Sequence, residues 1–289
     1  MASMTSNLDY FRRLNWNSTV CLEVSITSGD YNVIDTVYVC PYRNAYPSFI
    51  YQQLKQGFLK PNLDANTYKD INDDRVWFQV TDSPSDSPEK LKFHWNIGLS
   101  YDYYTFNYTS TPNTLPPLKL SLHLSSPSDT TLSSTKLSYM GSLKESQFTY
   151  WGSVKRVNQL KTLETEQMWH AIESNDFEDF YKTAKKLLPV PADTDSEDDN
   201  QPLLPRSIPL KLILPDQIVV QDIMSPNLTL NQALSASLPL LFPPQDSKYP
   251  QLAYPVLNGT VIPLDANILW LASCMSSPDG FLRFCIILY

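Results

Sequence analysis

The segment whose residues most clearly suggest a reaction is ESQFTYWGSVKRVNQLK, residues 145–161, in which Lys155 follows three aromatic residues. If this segment forms one helix, a rotation of about 100° per residue brings Phe148, Trp151 and Lys155 into an arc of roughly 60°. The amine of Lys155 would then stand at the edge of an aromatic stripe. Two interpretations are open: the lysine covers apolar surface with its aliphatic stem, or its amine is the target of a reaction.

Conventional active-site motifs are excluded by the wide spacing of the glycines. No two of the seven glycines lie closer together than Gly141 and Gly152. A GxGxxG loop, a P-loop and a GxSxG nucleophile elbow each need closely spaced glycines, so none of them is present. The three histidines, His94, His123 and His170, are dispersed and lack the spacing of zinc ligands. We therefore expect no catalytic residue, no cofactor and no metal, although a hydrolase with a dispersed Ser/His or Cys/His site stays open as an alternative.

Charge and hydropathy limit the possible partners and compartments. A net charge of −8 disfavours nucleic acid, because the phosphate backbone would be repelled. No apolar run approaches the roughly 18 residues of a membrane span, and MASMTSNLDYFRRLNW lacks the apolar core of a secretory signal. The cysteines occur in strand-like or buried-looking runs without a CxxC pair, and we expect reduced core residues of a cytoplasmic protein at Cys21, Cys40, Cys274 and Cys285.

Hydrophobic periodicity predicts an N-terminal helix followed by a mixed module of strands and helices. Residues 6–15 have the spacing of an amphipathic helix that Ser6 can cap. The next elements are strand, strand, helix, strand, a strand running into a short helix, and strand, over 19–27, 33–42, 46–60, 75–80, 91–105 and 118–126. This order is that of a β-grasp, or ubiquitin-like, module.

A helix-rich region and a second module complete the chain. Residues 145–188 have helical spacing, and the acidic segment 191–202 has the composition of a solvated linker. From residue 207 the order of the first module returns, with a strand pair, a helix over 228–242, a short strand and turn, a short helix, and a final strand over 280–289.

These patterns predict an α+β fold with two ubiquitin-like β-grasp domains flanking a helix-rich domain, and a short N-terminal helix. The predicted divisions are 1–17 for the N-terminal helix, 18–127 for the first ubiquitin-like domain, 128–144 for a linker, 145–190 for the helix-rich domain, 191–205 for the acidic linker and 206–289 for the second ubiquitin-like domain.

Three stretches of the chain resemble the autophagy protein 5 family, in its fungal type. VWFQV with KFHWNIGLSYD resembles a strand and a following segment of the family, and the matching positions are Lys92, His94, Ile97, Gly98, Leu99 and Asp102. Phe93 and Trp95 exchange aromatic types, and Asn96 replaces a proline. QMWHAIESNDFEDFYKTAKKLL is similar to the family's helix–turn–helix, and SSPDGFLRFCIIL is similar to its closing strand.

The resemblance implies a scaffold that is not an enzyme by itself and is modified at one lysine. In the family, a lysine near the start of the helix-rich domain forms an isopeptide bond with the C-terminal glycine of the ubiquitin-like autophagy protein 12. Alignment through MWHAIESNDF places this acceptor at Lys155. Lys161 and Lys144 are the next candidates, because a small shift of register would bring either one to the same place.

The resemblance also implies noncovalent partners. An amphipathic helix of autophagy protein 16 would bind in a groove, for which we nominate His94, Trp95 and Gly98. The conjugating enzyme of the autophagy pathway would supply the base and the thioester.

The implied function is to promote membrane lipidation. The conjugate would act like a ligase that helps to transfer autophagy protein 8 to phosphatidylethanolamine during autophagosome formation. The protein would be cytoplasmic and would reach the preautophagosomal structure membrane as a peripheral protein, through partners rather than through charge. The competing function is that of an unconjugated β-grasp adaptor that only binds a partner helix.

Overall fold

The computed structural model describes residues 4–28, 32–81, 89–108, 115–124, 134–189, 204–244 and 248–289. The chain forms two compact units. Residues 18–139 make the first unit, and residues 1–17 together with 140–289 make the second.

The elements up to the end of the first sheet are α1 (Met4–Trp16), β1 (Leu22–Ser28), β2 (Asn32–Val39), α2 (Pro47–Leu54), a π-helical turn (Lys55–Leu59), α3 (Lys60–Asn62), α4 (Ala65–Lys69), a 3₁₀ turn (Asp73–Arg75), β3 (Trp77–Val80), β4 (Glu89–Lys90), α5 (Ile97–Tyr108) and β5 (Leu118–His123). The later elements are α6 (Thr135–Trp151), α7 (Lys155–Asn158), α8 (Thr162–Ser174), α9 (Phe177–Ala184), β6 (Ile208–Ile213), β7 (Val219–Met224), α10 (Leu230–Ser237), β8 (Ala253–Leu257), β9 (Thr260–Val261), α11 (Ile268–Cys274) and β10 (Leu282–Leu288).

Each unit contains a five-stranded sheet, and the two sheets share one topology. The first has the order β2-β1-β5-β3-β4 and the second β7-β6-β10-β8-β9. In both sheets the first and last strands are parallel neighbours at the centre, and the other pairs are antiparallel. The prediction of two β-grasp domains is confirmed.

The cores of the two sheets follow from the alternation of apolar residues along the central strands. In β1, Leu22, Val24 and Ile26 are fully buried, while Glu23 and Ser25 between them are partly exposed. Such alternation indicates a strand with one face on the core. The second sheet buries Leu212 and Phe284 on its core face against the helices that follow β7.

The N-terminal helix packs within the second unit, although the whole first unit lies between it and its neighbours in the sequence. Leu8 and Trp16 are buried. Arg12 Nε donates a hydrogen bond to the carbonyl oxygen of Ser273 at 2.8 Å, and the Trp16 ring lies 4.6 Å from the Phe180 ring. The predicted helix is confirmed, and its apolar face covers α9 and α11.

Three predicted element boundaries are wrong. Residues 91–96 form no strand, because the chain turns here and the Asn96 side chain accepts a hydrogen bond from Leu99 N at 2.9 Å, in the first turn of α5. The helical region starts at Thr135 rather than at 145, since the serines and threonines of this stretch lie on a helix with a buried face. The helix predicted over 228–242 is limited to α10, which Thr229 caps.

A buried ion pair holds the start of α5 in the first unit. Arg43 Nη1 donates to both carboxylate oxygens of Asp102, at 2.8 and 2.9 Å, and both side chains are buried. Gly98 N donates to the carbonyl oxygen of Arg43 at 2.9 Å. A Cβ atom on Gly98 would lie 2.7 Å from Arg43 Cβ, so this close approach requires glycine.

Replacing one partner of this pair is expected to destabilise the first unit strongly. Asp102→Asn leaves the Arg43 guanidinium buried without a counter-charge, and the free energy of unfolding should fall by about 3–5 kcal/mol. Urea denaturation, with hydrogen exchange of α5 and β1 followed by mass spectrometry, measures this loss. Glu178→Gln is the control, because it breaks an exposed pair with Arg13 that contributes little. Equal losses in the two variants would contradict the prediction.

Candidate functional site

A glycine in the left-handed conformation separates Lys155 from the helix that carries the aromatic residues. α6 ends at Trp151, and Gly152 has a φ of +68° while its N–H donates to the carbonyl oxygen of Phe148 at 2.7 Å. A glycine of this kind is a common helix C-terminus. The prediction that Phe148, Trp151 and Lys155 share one helix is therefore wrong. Gly152 itself was the available sequence signal, since a glycine late in a helical pattern marks a possible end.

Lys155 instead begins α7, a single helical turn with its own anchors. Its backbone N–H donates to Ser153 Oγ at 3.2 Å, and its carbonyl oxygen accepts from Gln159 N at 2.9 Å. Val157 on the same turn is buried. The backbone of Lys155 is thus held at both of its polar groups, while its side chain is exposed.

The stacking partner of Trp151 is Arg156 rather than Lys155. The Arg156 guanidinium lies 4.3 Å from the Trp151 ring centroid, and Nη1 donates to the carbonyl oxygen of Lys186 at 3.3 Å. Trp151 Nε1 in turn donates to Gln147 Oε1 at 3.0 Å and to the carbonyl oxygen of Leu187 at 3.1 Å. We call Trp151 and Arg156 the Trp–Arg clamp, because together they tie α7 to α6 and to the segment after α9.

The Trp–Arg clamp does not involve the Lys155 amine. Among the residues that the structure describes, no carboxylate pairs with this amine and no side chain stacks on it. The adjacent charged side chain, Arg156, is a cation. The arrangement provides an accessible amine on an ordered backbone. Sequence reasoning did not identify the role of Arg156 in the clamp, since Trp151 lies on the preceding helix and Lys186 lies 30 residues later, beyond α8 and α9.

The two alternative lysines are also exposed but occupy different settings. Lys161 immediately precedes α8, and its backbone N–H donates to Glu164 Oε2 at 2.8 Å. The Glu164 carboxylate also pairs with Lys186 Nζ at 2.6 Å, and this pairing lowers the pKa of Glu164. Lys144 lies in the middle of α6, on its exposed side. Exposure alone does not distinguish the three lysines, whereas the carboxylate near Lys161 and the helix break before Lys155 do.

The three residues nominated for a partner groove belong to the first unit and differ in exposure. His94 is exposed. Trp95 is buried, with its ring 5.7 Å from the Tyr103 ring and the amine of Lys92 4.3 Å above it. Gly98 is buried against Arg43. Core packing explains the glycine and the tryptophan, and the groove assignment of all three stays a prediction.

The described part of the chain offers neither a metal-binding cluster nor a membrane-spanning helix. Among those residues, no group of three His, Cys, Asp or Glu side chains is arranged to hold a metal ion. None of the helices in the same ranges combines the length and the apolar character that crossing a membrane requires.

Comparison with known proteins gives one family along most of the chain. The matching family models are described as Autophagy protein ATG5, with the UblA domain over residues 15–124, the alpha-helical bundle region over 132–190 and the UblB domain over 207–286. Their order agrees with the two β-grasp domains and the helices between them along the chain.

Individual relatives align with this chain over most of their length. The chain is 27% identical over 317 aligned positions to Autophagy protein 5 of Phaeosphaeria nodorum, covering 94% of this chain and 95% of the relative. It is 29% identical over 258 positions to Autophagy protein 5 of Pichia angusta, covering 86% and 85%. The crystal structure of Kluyveromyces marxianus Atg5 has a similar fold, with a TM-score of 0.69, 18% identity and coverage of 96% and 99%. The chain belongs to the autophagy protein 5 family.

Proposed function

We propose that this protein is a non-catalytic autophagy scaffold whose Lys155 amine accepts the C-terminal glycine of autophagy protein 12. The observation that carries the proposal is the exposed amine of Lys155 at the start of α7, on a backbone fixed by the helix break at Gly152 and by the Trp–Arg clamp. An acceptor needs an ordered backbone, so that the amine can be presented repeatedly in one place, and it needs an amine that is not engaged in an ion pair.

The chemical step requires no catalytic group from this chain. The neutral amine of Lys155 attacks the thioester carbonyl carbon of autophagy protein 12 on the conjugating enzyme. An amide N–C bond forms, the C–S bond breaks, and the enzyme's thiolate leaves. The proton lost by the amine passes to a base of the enzyme. This division of labour fits a chain that offers an accessible amine at Lys155.

We further propose that the conjugate, with the helix of autophagy protein 16 bound, acts like a ligase for the lipidation of autophagy protein 8 with phosphatidylethanolamine. Its place would be the preautophagosomal structure membrane, reached as a peripheral protein. The net charge of −8 supports recruitment through partners, since anionic lipids would repel the chain as a whole. His94 on the first unit is the nominated residue with an exposed side chain for the helix partner.

Lys155→Arg is expected to abolish the conjugate in cells while the protein remains folded. Arginine keeps the charge and the aliphatic stem but does not act as an amine nucleophile, because its guanidinium stays protonated. Immunoblots of denaturing gels measure the loss of the upward-shifted band, and mass spectrometry of tryptic branched peptides identifies the modified lysine.

Lys161→Arg and Lys144→Arg are the matched controls and should retain the conjugate at normal yield. A conjugate that persists in Lys155→Arg and is lost in one of the controls would move the acceptor site to that lysine. If the wild-type protein carries no branched peptide in cells that form autophagosomes, the function is that of the unconjugated adaptor.

Gly152→Ala tests whether the helix break positions the acceptor. The left-handed φ costs alanine about 1–2 kcal/mol, and the added Cβ would lie 2.5 Å from Arg206 Nη1, so the Arg206 side chain must move. We expect a free energy of unfolding lower by about this amount and slower conjugation in a reconstituted reaction. Gly141→Ala is the control, because nothing lies within 4 Å of its Cβ position in α6, and it should be neutral or slightly stabilising. Equal conjugation rates in the two variants would contradict a positioning role for Gly152.

A further inference from the structure

Two cysteines of the first unit lie directly opposite each other across the β1–β2 hairpin. The antiparallel pairing continues past the ends of the two strands. Leu22 pairs with Val39, Val20 N donates to the carbonyl oxygen of Pro41 at 3.0 Å, and an isolated bridge joins Thr19 to Tyr42. The position between these pairs is occupied by Cys21 on one strand and Cys40 on the other.

The hydrogen-bond pattern places this pair where side chains approach most closely. The bonds from Val20 N to Pro41 O and from Arg43 N to Ser18 O mark alternate positions as hydrogen-bonded pairs. Cys21 and Cys40 therefore form a non-hydrogen-bonded pair, for which the Cα atoms are about 4.5 Å apart. This separation lies within the range of about 4.4–6.8 Å that a disulfide bridges.

The neighbouring pairs show that opposite side chains on this face do meet. Cys21 lies on the same face of β1 as Glu23 and Ser25, because side chains alternate along a strand. The Tyr38 hydroxyl donates to Glu23 Oε2 at 2.8 Å, and Ser25 Oγ lies 3.2 Å from Thr36 Oγ1. Both are cross-strand pairs of the same register. The cysteines occupy the next pair along this ladder.

The two thiols also differ in accessibility, and this difference gives each a separate role in the proposed oxidation. Cys40 is exposed, which contradicts the expectation that all four cysteines are core residues. Cys21 is partly buried, and this burial raises the pKa of its thiol, with the Cys40 side chain as the next cause. Cys274 and Cys285 are both buried in the second unit.

We propose that Cys21 and Cys40 form a reversible intramolecular disulfide, which makes the β1–β2 hairpin a redox-modification site. The co-reactant is a peroxide. The Cys40 thiol loses its proton, its thiolate attacks one oxygen of hydrogen peroxide, and the O–O bond breaks. A sulfenic acid forms at Cys40, and the departing hydroxide takes up the thiol proton as water. The Cys21 sulfur then attacks the Cys40 sulfur, the S–S bond forms, and the sulfenic oxygen leaves as a second water. The two thiols lose two electrons and two protons, which the peroxide takes up.

The disulfide would restrain a strand at the edge of the first sheet. β2 is the outermost strand of the sheet, and among the described strands it pairs only with β1. A covalent bond where β1 begins and β2 ends limits fraying of β2. Exchange with a small dithiol reverses the modification. The site lies in the first unit and its chemistry does not depend on the proposed role of Lys155.

The experiment is a disulfide map of the full-length protein after treatment with hydrogen peroxide. Trypsin alone leaves both cysteines on one peptide, residues 14–43, whereas a second protease that cuts after Glu23 separates residues 14–23 from 24–43. Remaining thiols are alkylated under denaturing conditions before digestion. We expect the two peptides to be joined until a reductant is added, with Cys274 and Cys285 recovered as alkylated thiols.

The controls distinguish a disulfide that the fold positions from nonspecific oxidation of the cysteines. Cys40→Ser and Cys21→Ser should each abolish the link, and Cys274→Ser should retain it. The link should form at least about tenfold faster in the folded protein than in urea, because the fold holds the two sulfurs together. Oxidised wild-type protein should also show slower hydrogen exchange in β2, and Cys40→Ser should not. Equal rates in urea, or overoxidised Cys40 without a link to Cys21, would overturn the proposal.

Discussion

The second unit depends on one face of α6, where buried polar side chains are hydrogen-bonded to backbone carbonyls from distant parts of the chain. Ser146 Oγ donates to the carbonyl oxygen of Asp279 at 2.5 Å, and the Tyr150 hydroxyl donates to that of Gly280 at 2.7 Å. Gln147 Nε2 donates to the carbonyl oxygen of Leu187 at 3.2 Å. A buried donor without a partner is costly, so the segments before β10 and after α9 must both stay in contact with α6. Burial also raises the pKa of Tyr150, which keeps its hydroxyl a donor.

This constraint joins the helix-rich region and the second β-grasp domain into one body. Gly280 has a φ of +86°, and a Cβ there would lie 2.7 Å from Ser146 Oγ, so only glycine permits the approach of this loop to α6. Tyr150 belongs to the same buried cluster as the strands and helices of the second sheet. The α1 helix adds a further layer through Trp16, whose indole donates to the carbonyl oxygen of Asn175 at 3.1 Å.

The position of the candidate acceptor follows from the same face. Because Tyr150 is fixed in the core and the Trp151 indole is held by two acceptors, the end of α6 has one defined place. Gly152 then turns the chain, and Lys155 emerges on a short helix held by Arg156. A protein that is acted upon needs this combination of a rigid support and an exposed amine. The first unit has its own fixed point, the buried pair of Arg43 and Asp102, and a hairpin that carries the cysteine pair, of which Cys40 is exposed.

The sequence by itself determined the features that depend on local patterns. Alternating apolar residues predicted the central strands, helical spacing predicted α1, and the order of elements predicted two β-grasp domains. These succeed because strand and helix periodicities are properties of a few neighbouring residues. The motif resemblance likewise identified the family from short stretches, and it pointed to Lys155.

Only the tertiary structure decided features that need partners from elsewhere in the chain. Helical spacing continued through Gly152, yet the helix ends there, where the chain turns beside Arg206. Trp95 and His94 are adjacent in sequence and both polar-tipped aromatics, but packing against Tyr103 buries one and leaves the other exposed. The pairing of Cys21 with Cys40 depends on the register of a hairpin, which composition does not reveal. The packing of Trp95, the turn beside Arg206 and the register of the hairpin each depend on contacts beyond the few neighbouring residues that set local propensity, so periodicity alone did not determine the outcome.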